Sequence, residues 1–120
     1  MRPGDVRMVS DEEWRSITKG LSLPVDAKKR KQVPIFSGVL RYFPDAIAAV
    51  AACSFQGNEQ HNPGTKLHWD RSKSGDELDA LTRHLMEAGT VDNDGVLHST
   101  KVAWRARANL QKELENARVK

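Results

Sequence analysis

Four runs of the chain repeat their apolar residues at intervals of three and four, and nowhere do apolar and polar residues alternate, so the pattern predicts helices and no strand. The first run carries Trp14, Ile17 and Leu21 behind Ser10-Asp11-Glu12-Glu13, where a Ser hydroxyl can accept from early helix N–H groups and a Glu three residues on can reach back. It predicts a short helix over 11–19, stopped by Gly20. Pro44-Asp45 heads the second run: proline fits a first turn, where its missing N–H has no partner, and the carboxylate suits the positive end of the helix dipole. With Ile47, Val50, Ala51, Cys53 and Ser54, this run is apolar on nearly every side. That predicts the most deeply buried helix, over 44–56, closed by Gly57.

Ser74 and Glu77 form a second capping box and open a third helix over 75–88. Leu78, Leu81, Leu85 and Ala88 make its core stripe. Glu77, Ala80, His84 and Glu87 run beside that stripe, and Asp76, Asp79 and Arg83 form a third. A last helix over 96–117 sets Ala103, Ala106, Leu110, Leu114 and Ala117 toward the core. The fold predicted is all-α, a small helical bundle with three main helices plus a short N-terminal helix. Residues 1–9 read as an arm, and 22–42, with Pro24, Pro34, Gly38 and the block Lys28-Lys29-Arg30-Lys31, as a basic linker segment without regular structure. Residues 58–73 are a polar loop turning at Pro63-Gly64 and anchored by Trp69.

The 120 residues suit one domain, 1–120, small enough that a site could be completed by a second copy. A helix apolar all round in so small a bundle also points to a homo-oligomer. The net charge of +3 suits phosphate-bearing partners such as a nucleotide without requiring long nucleic acid, and no helix-turn-helix pattern is present. One cysteine, Cys53, implies a reducing compartment. No run of 18 apolar residues and no leader of basic-then-apolar order occurs, so the expectation is a soluble cytoplasmic protein without a membrane partner.

All four histidines, His61, His68, His84 and His98, fall between Gly57 and His98 among Asp, Glu, Asn and Gly. Their spacing matches no zinc signature. Oxygen ligation of Mg²⁺ by Asp76, Glu77 and Asp79, or by Asp92 and Asp94, completed by a phosphate, is easier chemistry, although acids at a helix start are also favoured by the dipole alone. Asp92-Asn93-Asp94-Gly95 begins like a calcium loop but has Ala103 where the bidentate Glu belongs. Arg83 and His84 sit beside the leucine stripe, where they would line a groove. Trp69 and Trp104 either stack on a base or pack.

The order of these short motifs resembles the N-terminal domain of the phage-type dATP/dGTP diphosphohydrolases. It runs from Lys31 through Pro34 and Ile35 to Phe43-Pro44-Asp45-Ala46-Ile47, Gly57, and Asn62-Pro63-Gly64 with Trp69. Asp79-Ala80-Leu81-Thr82-Arg83-His84-Leu85 follows, then the Gly89 turn with Asp92 and Asp94-Gly95, and Leu97-His98. The resemblance implies Mg²⁺-assisted hydrolysis of a purine deoxynucleoside triphosphate to monophosphate and pyrophosphate, in a host cell's cytoplasm if the chain is phage-encoded. Asp76, Glu77 and Asp79 would hold metal, Lys31, Arg83, Lys101 and Trp69 would bind the nucleotide, and His84 or His98 would orient water. Thr90 stands where the family has a Glu, Lys101 where it has a second His, and His68 where it has an Asn. These departures favour the alternative, a protein that sequesters a nucleotide, such as a signalling nucleotide, without turnover.

Overall fold

The computed structural model describes residues 23–72 and 75–119; the expected arm 1–9, the expected helix over 11–19 and the Ser74 cap lie outside the described residues. The chain divides into two units, Met1–Val33 and Pro34–Lys120. In the first, Asp26 starts a single helical turn, α1 (Ala27–Arg30), its carboxylate accepting the Lys29 N–H at 3.0 Å. Lys31 closes that turn and is exposed. A segment expected to lack regular structure is thus locally helical, because an Asx cap needs only the three residues that follow it.

The second unit opens with one π-type turn, Phe36–Leu40, against which α2 (Pro44–His61) packs. Helices α3 (Glu77–Met86) and α4 (His98–Val119) follow, and α4 is the centre, touching both α2 and α3. The all-α expectation holds: among the described residues the only extended pairing is one antiparallel bridge, Val91 with Leu97. No described helix is long and apolar enough to cross a membrane.

Two expectations about α2 are corrected. Pro44 and Asp45 do form its first turn, but the helix runs through Gly57 to His61 and is capped by Asn62. Gly57 keeps helical φ, whereas Gly64, Gly89 and Gly95 take the left-handed values of +78°, +91° and +83°. Tertiary bonds on either side hold the helix across the glycine: Gln56 donates to the Asp94 carbonyl at 2.9 Å and Asn58 to the Thr65 carbonyl at 3.2 Å. Nor is α2 the most buried helix. Ile47, Val50 and Cys53 are half-buried, and its one buried residue is Asn58, since only α4 and the π-type turn cover it.

The α3–α4 contact also corrects most of the predicted core, of which only Leu81 and Ala103 are half-buried. Leu78 and Leu85 are 58% and 55% exposed and Ala88 is exposed, while the buried residues of α3 are Glu77 and Ala80. On α4, Ala106, Leu110, Leu114 and Ala117 face outward, and His98 and Ala108 are buried. The helices therefore meet through the stripe Glu77, Ala80, His84 and its counterpart His98, Arg105, Ala108, Lys112. One small residue from each helix fills the middle, and charged or ring groups pair at both ends. Glu77, 5% exposed, accepts from Arg105 at 3.2 Å and Lys112 at 3.3 Å. A buried carboxylate survives only with such partners, and here two cations share it. Helix α3 is also shorter than expected: Asp76 stands at its N-cap without a side-chain capping bond.

Candidate functional site

The C-terminal half of α2, the loop after it, and the start of α4 enclose a cleft of about 470 Å³, a size that suits a small ligand. Asn58 forms part of its wall and is only 6% exposed. Its Nδ2 is committed to Thr65, which fixes the amide's orientation, and its Oδ1 is buried with no hydrogen-bond partner. An orphan acceptor of this kind costs roughly 1–3 kcal/mol, so it marks a place where a donor belongs.

Two indoles line the cleft beside it. Trp104 donates its Nε1–H to Ser54 Oγ at 2.6 Å, which ties α4 to α2. The ring of Trp69 meets that of Trp104 edge-to-face, with centroids 5.9 Å apart. Arg71 lies over Trp69 at 4.2 Å and is itself forked onto Glu115 through two 3.0 Å bonds, so the loop is anchored to the far part of α4.

A tight hairpin joins α3 to α4. Gly89 and Gly95 turn it with positive φ, Asp92 donates its N–H to the Val96 carbonyl at 2.9 Å, and Gly95 donates to the Asp92 carbonyl at 3.0 Å. This brings Asp92 and Asp94 round to Lys101, whose Nζ donates to them at 2.6 and 2.7 Å. The ammonium holds the Asp92 carboxyl at about 2, helped by the Asn93 N–H, and keeps Asp94 below its usual range as well. Burial alone would depress Lys101, but the two carboxylates outweigh it and raise it.

The same hairpin sets His98, 5% exposed, against His84. Their Nδ1 atoms are 2.9 Å apart and their ring centroids 5.1 Å. The His98 Nε2 lies 3.7 Å from the Glu87 carboxylate. Burial, then the positive charge of Lys101 and the second imidazole, push the His84 pKa down, so His84 is neutral at pH 7.

Of the residues singled out from the sequence, His84, Trp69 and Lys101 line the cleft, and His98 is bonded behind His84. Arg83 is exposed, donates to Asp76 at 3.2 Å, and lies outside the cleft. Lys31 belongs to the other unit. Asp76, Glu77 and Asp79 line a separate shallow depression with Lys112. Asp76 is held by Arg83, which lowers its pKa, and Glu77 is shared by Arg105 and Lys112. Two of the three carboxylates are thus already paired with cations. The sequence reading missed Asn58, which became visible only once α2 was carried past Gly57. It also missed the clamp of Lys101 on Asp92 and Asp94, for which the signal was an acidic turn followed by a lysine in the first turn of the next helix. In comparisons with known proteins, no family model, curated protein or solved structure matches the chain.

Proposed function

We propose that the cleft binds a purine deoxynucleoside triphosphate and that the chain hydrolyses it to the monophosphate and pyrophosphate. The observation that carries this reading is the orphaned Asn58 Oδ1 beside the cleft, an acceptor closed to water in this structure that the exocyclic amine of adenine or guanine, as of cytosine, would satisfy once the amide turns into the cleft. Trp69 and Trp104 supply apolar ring surface for a base and sugar, while Arg105, which also bonds Glu77, brings a guanidinium to the same wall for phosphates. His84, held neutral, leaves one ring nitrogen to orient a water for attack on the α-phosphorus, with pyrophosphate leaving.

The second reading is sequestration without turnover. It is favoured by Lys101, whose ammonium is already spent on Asp92 and Asp94 at the position where the resembled family carries an imidazole. One experiment separates the two: a panel of the four deoxynucleoside triphosphates with Mg²⁺, followed by calorimetry and by pyrophosphate release. Purine-selective binding with release is the expected result, binding without release establishes the second reading, and no purine preference refutes both. We also propose that the functional unit is a homo-oligomer, because Leu78, Leu85 and Met86 give α3 an apolar face that is exposed among the described residues. Sedimentation of wild type against Leu85→Asp tests it, and a wild-type monomer at high micromolar concentration would refute it.

A further inference from the structure

We propose that His84, His98 and Asp92 form a binding site for a divalent first-row transition-metal ion, with Glu87 as the outer partner of His98. Each of the three offers a ligand atom, and those atoms all lie within 4.8 Å of one another. Two nitrogens held side by side at about 2.1 Å from one ion stand roughly 3.0–3.4 Å apart, so the observed Nδ1 to Nδ1 distance of 2.9 Å needs only a slight opening. The far nitrogen of His98 faces the Glu87 carboxylate at 3.7 Å. At that distance it is a contact and not a hydrogen bond; a shift of about half an ångström by the exposed Glu87 side chain would make it the carboxylate–histidine pairing that fixes the tautomer and raises the basicity of a metal-bound imidazole.

Charge favours the same conclusion. Asp92, Asp94 and Glu87 surround Lys101 and the two rings, which leaves an excess of negative charge for a cation to neutralise. Two nitrogen donors and one carboxylate suit zinc, cobalt, nickel or iron, whereas Mg²⁺ requires oxygen. Of the three ligands only His84 lines the cleft, and His98 and Asp92 are not among its lining residues. The two histidines come from different helices and meet only through the hairpin, which is why their sequence spacing carries no metal signature. The site is independent of any nucleotide.

The test uses the whole chain, stripped by chelator and titrated with Co²⁺ followed by visible absorption, then with Zn²⁺ in competition. One ion per chain is expected, undisturbed by millimolar Mg²⁺. Asp92→Asn and His84→Gln should each weaken Co²⁺ tenfold or more, Glu87→Gln should weaken it about tenfold, and Asp76→Asn should leave it unchanged. On the unmutated chain, Zn²⁺ should shift the imidazole ¹⁵N resonances of both His84 and His98. If those resonances stay put at saturating Zn²⁺, the 2.9 Å contact is only a hydrogen bond between the two rings and the proposal fails, whatever the variants do. Equal displacement by Mg²⁺, or wild-type affinity in Asp92→Asn, would overturn it as well.

Discussion

Removing the Glu77 side chain tests the polar α3–α4 contact, because the hydrophobic pattern and the structure disagree about which residue of α3 matters. Glu77 is 5% exposed and bonded to Arg105 and Lys112, whereas Leu78, the next residue, is 58% exposed. Each charge-assisted bond contributes about 1.5–3 kcal/mol when fully buried. The side chains of Arg105 and Lys112 are 30% and 24% exposed, so both cations can regain water, and the combined loss in Glu77→Ala falls to about 2–3 kcal/mol. A fully buried leucine contributes about 1.5–3 kcal/mol by area; more than half exposed, Leu78 contributes less than about 1 kcal/mol, and alanine returns part of that as helix propensity. Urea unfolding, extrapolated to water for both variants at a concentration where sedimentation shows one copy, gives the comparison. A Leu78→Ala loss larger than the Glu77→Ala loss would mean the leucine stripe is the core after all.

Two further perturbations probe separate parts of the fold. Gly57→Ala should stabilise the protein by about 0.5–1 kcal/mol in the same assay, because Gly57 is helical and an added Cβ meets nothing within 4 Å; a loss of stability would contradict the extended α2. Stability should also fall as pH drops below 6.5. His84, faced by Lys101, His98, Asp92 and Arg105, is depressed in the folded state, so the unfolded chain takes up that proton first. A second loss should follow from about 3.8 down to about 2 as Asp92 protonates, with Asp94, also lowered by Lys101, adding to it, and His84→Gln should flatten only the first limb.

Much of the fold was legible. Pro44-Asp45 marked a helix start, Gly89 and Gly95 marked the turns that reverse the chain, and the three-and-four spacing located every long helix. What the spacing could not supply was which face turns inward. An apolar stripe is ordinarily the buried one, but Glu77 and His84 find partners on α4 that satisfy them, and Leu78 and Leu85 are left outside. The candidate site was half legible for a related reason. His84, Trp69 and Lys101 carry recognisable chemistry wherever they stand. Asn58 matters only because the fold buries its oxygen without a partner, and Asp92 only because the hairpin brings it beside two imidazoles.

The claim that a purine docks on Asn58 is tested most directly by a cycle in which protein and ligand are each cut by one group. Affinities of dATP and of its analogue lacking the exocyclic amine are measured for wild type and for Asn58→Ala. If the amine satisfies the buried Oδ1, wild type prefers dATP by about 1 kcal/mol, roughly fivefold, and the preference disappears in the variant even where its overall affinity changes. An Arg83→Ala control, altered outside the cleft, should keep the full preference. A wild type that binds the two nucleotides equally, or a variant that retains the preference, would contradict the account.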